Sequence, residues 1–550
     1  TVLLLNNSAQ GTLSFNKTLP QLMKDTPLSF FPCCCGLLGS SDATGFPATS
    51  VHYLSTKFLE EVNQHGLDRN ANLYQIENLS NTDHGVIRKK GADVICPIDE
   101  EIGASYVHCL EGEDNVGPAN YMLSYTWGYT IGDIVDSLVE FCETTQQSPK
   151  RVYVWMCCLC VNQHRVVKLR DEGKVVPFEE FSDTFFQRVN GIKNILSMMT
   201  SWNDPGYLKR AWCIYEMYVA TTSSECNVTI LMPPKEKYLF AKEIEEGQGG
   251  NMFFKVMSQT DIEKASAYPA DKDLIMKAVY EGPGAHALNV AINDLLIEWS
   301  KTAILDVISV REKASVDASA DVDFAQFLCK VGLLFWKQGF YDHALEQQWR
   351  ALEIQISVLG DANEQTAQTY NDIGMTFSNL NRQKEAVENC KKALEIRREI
   401  LGEVHKHTAE SYSTVAMRLK TLGELDEALE MVMKALDVRQ KLYENKDHAD
   451  ICRSLITVGR ILAAKGQHDE ALEYFRKAVV VAKAKEVEDS RLEARALGDM
   501  GASYNQIGNL DMAMTTYQKC LMIREKILGS NHKLTVKIRK NMDSLLTTST

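Results

Sequence analysis

Asp426-Glu427-Ala428-Leu429-Glu430 and Asp469-Glu470-Ala471-Leu472-Glu473 are the same five residues, 43 positions apart. Reading outward from their alanines, a small residue recurs at Ala344, Ala386, Ala428, Ala471 and Ala513, with spacings of 42, 42, 43 and 42. Three further registers keep those spacings: Ala351, Ala393, Ala435, Ala478 and Cys520; Gly332, Gly374, Ala416, Gly459 and Gly501; and a turn position at Gly339, Asn381, Gly423, Gly466 and Gly508. A shared period of this length is the signature of a repeat architecture. Each unit reads as a helix pair. Small residues let two backbones approach, and Gly or Asn supplies the left-handed turn that ends the first helix. One pair cannot cover its own apolar face, so neighbours stack into an all-α solenoid. The pattern predicts five units over 325–535, then a closing helix and tail over 536–550.

These registers resemble the tetratricopeptide repeat. The 42-residue form, with Leu359-Gly360, Leu401-Gly402 and Leu528-Gly529 after the second helix, resembles the kinesin light chain type. The resemblance implies an inner groove that takes protein partners, helped by a ladder of asparagines on the first helices. The equivalent positions here are Cys329, Asn371, Ser413, Ile456 and Gly498, and Asn371 alone matches. A kinesin-light-chain-like adaptor is the weaker function implied, since no heptad coiled coil is read before the repeats.

The first 300 residues differ in kind. They hold 24 Lys and Arg against 37 Asp and Glu, whereas residues 301–550 hold 35 against 36. From Tyr121 onward, short apolar runs alternate with helical periodicity. Strands are expected at Tyr121–Tyr125, Arg151–Val161, Ile195–Met199 and Asn227–Met232. Helices are expected at Ile131–Thr145, Phe178–Lys193, Tyr207–Thr222 and Ala287–Trp299, the last led in by Gly282-Pro283-Gly284. Alternating β and α predicts a doubly wound parallel α/β sheet of flavodoxin-like kind over 116–300. In such sheets ligands sit at the carboxyl ends of the strands. Residues 301–324, polar and rich in Ala and Ser, read as a connector. Residues 1–115 read as an extension, with one helix at Val51–Val62.

Ser124-Tyr125-Thr126-Trp127-Gly128 closes the first of these strands, and Arg210-Ala211-Trp212-Cys213-Ile214-Tyr215-Glu216-Met217 opens a later helix. These segments resemble the Toll/interleukin-1 receptor (TIR) domain. The chain as a whole also resembles uncharacterised microbial-eukaryote proteins with repeat arrays, which share the elements Val116–Ala119, Asn162–His164 and Arg210–Cys213. The TIR resemblance implies that Trp212, Cys213 and Glu216 match a Trp-Cys-x-x-Glu motif whose Glu is the catalytic acid of NAD⁺ hydrolysis. It implies Glu216 as the catalytic residue and NAD⁺ as substrate. Ser124, Trp127, Gly128, Trp155, Trp202 and Trp212 are then the candidate cofactor-binding residues, and the domain is a candidate for self-association. No acid stands in Trp155–Cys160, where TIR members place one.

Composition narrows the rest. A net charge of −14 argues against a general nucleic-acid binder. The strongest apolar run, around Val152–Val161, is of strand length, so no transmembrane segment is expected. Fifteen cysteines, an odd number without framework spacing, favour a reducing, cytoplasmic setting. Thr1–Gln10 lacks the basic start of a signal peptide. Cys157, Cys158, Cys160 and His164 read as buried small side chains rather than zinc ligands, on the expectation that a strand splits them between two faces. Cys33-Cys34-Cys35, after Phe30-Phe31-Pro32, reads as an apolar packing segment, with S-acylation as the alternative. Two functions stand: an interaction scaffold with a non-catalytic or degenerate α/β domain, and an NAD⁺ glycohydrolase using Glu216.

Overall fold

The computed structural model describes residues 45–77, 85–172, 187–223, 225–246, 260–267, 269–315, 317–444, 447–484, 487 and 489–548. Cys33–Cys35 and most of the expected helix Phe178–Lys193 lie outside them. The chain divides into two compact units, with the division between Val307 and Ile308.

The first unit is built on one six-stranded sheet. Its strands are β1 (Pro47–Ser50), β2 (Val116–Pro118), β3 (Tyr121–Ser124), β4 (Tyr153–Trp155), β5 (Asn194–Met198) and β6 (Asn227–Leu231), in the order β2-β1-β4-β3-β5-β6. β4, β3, β5 and β6 run parallel, whereas β1 pairs antiparallel with both β2 and β4. The sheet is therefore mixed, which corrects the expectation of a wholly parallel one. It also corrects the boundary at 115/116. β1 is hydrogen-bonded on both sides, so residues from 47 onward belong to the domain and are not an extension of it.

The parallel part follows the flavodoxin-like pattern, in which the first parallel strand in sequence is central and its neighbours come before and after it in space. β3 lies between β4 and β5, so the topological switch point falls between β3 and β5. α1 (Ile131–Thr144) follows β3. Thr130 caps it by accepting from Asp133 N at 3.1 Å, and Ile131, Ile134, Val135, Leu138 and Cys142 form its buried stripe. The expected long strand Arg151–Val161 is shorter: β4 ends at Trp155, and Cys157–Cys160 is a helical turn. α2 (Gln163–Asp171) follows. The expected helix Tyr207–Thr222 is broken at Arg210, whose extended backbone separates the 3-10 turn Gly206–Lys209 from α3 (Ala211–Thr222). α4 (Pro234–Glu246) follows β6, and α5 (Ala285–Ala314) is a 30-residue helix through which the unit division runs. The connector read at 301–324 is thus helical to Ala314, turns at Ala318–Ala320, and enters the first repeat helix at Val322.

The second unit is all helical. Its pairs are α6 (Val322–Gln338) with α7 (Tyr341–Leu359), α8 (Glu364–Asn379) with α9 (Gln383–Leu401), α10 (Lys406–Leu422) with α11 (Leu425–Leu442), α12 (Ala449–Ala464) with α13 (His468–Lys483), and α14 (Ser490–Gln506) with α15 (Leu510–Leu528). α16 (Lys533–Thr548) closes the array. Ala344, Ala386, Ala428, Ala471 and Ala513 are fully buried where the helices meet. A Cβ added to Gly459 would lie 2.6 Å from Phe475 Cε1, so the α12–α13 contact admits hydrogen alone. Asn381 takes the left-handed turn conformation at φ 61°, as Gly423 does at φ 99°. Both readings of the repeat registers, seam and turn, therefore hold at the atomic level.

Candidate functional site

Ser124 ends β3 and Ser197 lies beside it in register on β5, so the two hydroxyls flank the switch point. Both serines are buried. Tyr207, fully buried on the turn before α3, brings its hydroxyl to 2.7 Å from Ser124 Oγ and 3.4 Å from Ser197 Oγ. From α3, Glu216 reaches the same point, and Ser124 Oγ donates to its Oε2 at 2.5 Å. The sequence motif thus places its carboxylate at the carboxyl ends of two parallel strands.

Burial pushes the Glu216 carboxyl up to about 7, against the Ser124 hydrogen bond and the nearby Arg210 guanidinium, which pull it down. Near neutrality it is therefore divided between acid and carboxylate, and a cation arriving at the site would favour the carboxylate. Around it stand Cys213, whose thiol faces the Tyr125 carbonyl, and Cys157, which lies 3.3 Å from Tyr125 Oη. Burial raises both thiols above their ordinary value, and the Glu216 charge adds to this. They are poor nucleophiles as placed.

The candidate aromatic residues separate into two groups. Trp127 is half-buried beside the site. Its ring tilts against Tyr74 at 5.6 Å. Arg210 Nη1 reaches Tyr74 Oη at 3.4 Å, so a cation and two aromatic rings border the carboxylate. Gly128, next to Trp127, is exposed. Trp155 and Trp202 are buried, 6% and 5% exposed, with internal ring contacts: Arg188 over Trp155 at 4.5 Å and Phe240 edge-on to Trp202 at 5.1 Å. Trp212, one helical turn before Glu216, is half-buried against the core.

Tyr207 and Ser197 escaped the sequence reading. Aligning the starts of Tyr121–Ser124 and Asn194–Met198 would have paired the serines, but nothing in the sequence joins Tyr207 to them. The Asn162-Gln163-His164 element does structural work. Asn162 Nδ2 donates to the Gly103 carbonyl at 2.8 Å, and His164 Nε2 lies 2.9 Å from the Arg88 carbonyl. Arg165 then grips Asp99 through two nitrogens, at 2.7 and 3.0 Å. The turn Cys157–Cys160 corrects the basis on which the zinc ligands were judged, since these cysteines are not on a strand. Among the described residues no group of three or more His, Cys, Asp or Glu side chains is placed to hold a metal ion.

Comparison with known proteins speaks to the repeat half. The tetratricopeptide-repeat family model matches residues 323–399, 384–441, 407–484 and 450–526. The helix pairs are tetratricopeptide repeats. Among solved structures, the nearly identical TPR-like repeats from Podosopora anserina are 17% identical with a TM-score of 0.34, covering 38% of this chain and 98% of that one. BtubC from P. vanneervenii is 19% identical with a TM-score of 0.32, covering 46% and 91%. YrrB, a TPR protein with an unusual peptide-binding site, is 21% identical with a TM-score of 0.27, covering 42% and 97%. The search of curated proteins returns no match. No helix among the described residues is long and apolar enough to cross a membrane.

Proposed function

We propose that the protein is an interaction scaffold whose tetratricopeptide repeats hold protein partners. The observation that carries this is the uninterrupted stacking of five helix pairs, which buries the seam alanines and leaves one stripe of each first helix exposed. Stacked repeats of this kind present extended binding surfaces. The test is partner identification by proximity labelling, followed by binding to purified full chain. Partners that bind equally well to a chain lacking 320–550 would overturn the reading. Self-association through the α/β domain belongs to the same proposal and is read by light scattering.

A second reading, an NAD⁺ glycohydrolase, is favoured by one observation: the Glu216 carboxyl stands at the switch point beside Arg210 and Trp127. Cleaving the bond from ribose C1′ to nicotinamide leaves oxocarbenium character on the sugar. A fixed carboxylate a few ångström away stabilises that charge. Nicotinamide departs neutral, water adds to C1′, and its proton is released. Trp127 and Tyr74 offer ring faces to the cofactor. NAD⁺ turnover by purified protein, free and clustered, measured beside Glu216→Gln, decides this reading.

A further inference from the structure

Tyr207 and Glu216 are nine residues apart. In an unbroken helix that is about two and a half turns, which puts two side chains on opposite faces. Here both reach one hydroxyl, that of Ser124. The extended backbone of Arg210, at φ −112° and ψ 122°, separates the turn Gly206–Lys209 from α3. Tyr207 N donates to the Tyr129 hydroxyl at 3.1 Å, which holds that turn against the domain. The break in the helix therefore gathers two side chains that a continuous helix would keep apart.

The result is a line of four oxygens. Ser197 Oγ, Tyr207 Oη, Ser124 Oγ and Glu216 Oε2 follow one another at 3.4, 2.7 and 2.5 Å. Ser197, Tyr207 and Ser124 are 0%, 0% and 1% exposed, so water does not compete for their protons. Each hydroxyl has one proton to give. When Glu216 is ionised, Tyr207 donates to Ser124 Oγ, and the single Ser124 proton is turned onto Glu216 Oε2. When Glu216 is protonated, the line reverses: Glu216 donates to Ser124, Ser124 to Tyr207, and Tyr207 to Ser197. The buried phenol and the Ser124 hydroxyl are thus satisfied in both states, as buried polar groups must be. Glu216 is half-buried, and among the described residues its other oxygen, Oε1, takes no hydrogen bond. The other ionisable groups facing the carboxyl are Arg210 at the start of α3, Cys213 within it, and Cys157 on the turn after β4. They stand off the line.

We infer that Tyr207 is a positioning residue for Glu216: acting through Ser124, it fixes Oε2, leaves Oε1 to face the ligand, and reverses its own hydrogen bonds as Glu216 gains or loses a proton. This rests on the glycohydrolase reading for the identity of the ligand. A donor to the ionised form favours that form, so removing the phenol raises the pH at which Glu216 ionises. Ser197 serves the protonated state, and its removal acts in the opposite direction.

The test uses the full chain. The unfolding midpoint of the α/β unit in each variant is compared with that of its Glu216→Gln counterpart, from about pH 4 to about pH 9. The pH at which the difference levels off marks the ionisation of Glu216 in the folded chain. Tyr207→Phe should move it up by about half a unit or more, and Ser124→Ala further. Because Tyr207 acts through Ser124, the double variant should move it no further than Ser124→Ala alone. Ser197→Ala should move it down. Tyr106→Phe removes an equally buried phenol of the same unit, one that donates to Glu61 at 2.6 Å, and should leave the Glu216 ionisation in place. Circular dichroism identifies any variant that fails to fold. The inference is overturned by an unmoved ionisation in Tyr207→Phe, by additive shifts in the double variant, by an upward shift in Ser197→Ala, or by an equal shift in Tyr106→Phe. NAD⁺ turnover is measured beside these, and where it is present the inflection of kcat/KM should follow the same shifts. Absence of turnover with the shifts intact would sink the glycohydrolase reading and uphold the role of Tyr207.

Discussion

Ser124 and Glu216, 92 residues apart in the chain, meet where β3 ends, with the serine hydroxyl donating to the carboxylate. This contact ties α3 to the sheet at the switch point. It also leaves the domain with a carboxyl group at odds with its surroundings, because burial favours the neutral form. A folded-state pKa raised above the unfolded value means the folded chain binds more protons between the two. Stability then falls as pH rises through the window from about 4.5 to about 7, and stays lower above it. The full shift corresponds to an upper bound of roughly 3 kcal/mol. Glu216→Gln keeps an acceptor for Ser124 and has no charge to desolvate. It should raise the thermal midpoint of the α/β unit at pH 8 and change little at pH 5. An equal gain at both pH values would show that the carboxylate carries no such cost.

If the site turns over NAD⁺, the same shift sets its pH profile. The carboxylate form is needed to face an oxocarbenium ion, so kcat/KM should climb with pH and level off above about 7. Glu216→Gln should remove the reaction. Retained cleavage in Glu216→Gln, or no turnover by wild-type protein in either free or clustered form, would leave the carboxyl a structural group.

Tyr207→Phe removes the phenol that supports Ser124 and leaves a buried hydroxyl short of a partner. The expected loss is about 1–2 kcal/mol. Chemical denaturation of the full chain, followed by fluorescence, measures it. A loss below about 0.3 kcal/mol would mean that the bond to Glu216 satisfies Ser124 by itself.

The repeat half was legible in the sequence because its constraints recur. Gly332, Gly374, Gly459 and Gly501 answer one steric demand four times, and repetition converts each into a signal. The α/β half was legible in its parallel strands: Tyr121–Ser124 and Asn194–Met198 are apolar runs buried on both faces, and Asn227–Leu231 alternates as an edge strand does. β1 was not. Pro47–Ser50 is four residues long, and it pairs with Val116–Pro118 and Tyr153–Trp155, 69 and 106 positions on. Nothing local marks such a pairing. The cysteine turn was misread for the opposite reason. Met156–Val161 is apolar enough for a strand, and periodicity cannot tell a buried strand from a buried helical turn. Of the site, Glu216 and Ser124 were found through motifs, while Ser197 enters only through the register of β3 with β5 and Tyr207 through the fold of the turn before α3.

Asp99 and Arg165 fasten the hairpin Val94–Gly103 to α2. The two-nitrogen grip of Arg165 holds the Asp99 carboxyl down at about 2. A depressed carboxyl adds stability above its unfolded pKa, and that contribution disappears as pH falls through about 2. At neutral pH, Asp99→Asn should speed amide exchange from Val94 to Gly103 while moving the global midpoint by less than about 1 kcal/mol. Unchanged exchange in that hairpin would show that Asn162 and His164 suffice to hold it.

The seam of the repeats gives the sharpest packing test. Ala386 is fully buried, and its carbonyl oxygen lies 3.0 Å from where a Cβ on Gly374 would stand, so α8 and α9 touch nearly backbone to backbone. Ala386→Leu inserts three carbons where neither helix can retreat without breaking its contact with the next repeat. Overpacking of this kind costs about 1–3 kcal/mol. Lys384→Leu, an exposed site two residues earlier on the same helix, serves as control and should cost less than about 0.5 kcal/mol. In an array whose units contact only their neighbours, the damage should stay local. Amide exchange should rise in α8 and α9 well before it rises in α14 and α15. Uniform loosening from α6 to α16 would mean instead that the five repeats unfold as one cooperative block.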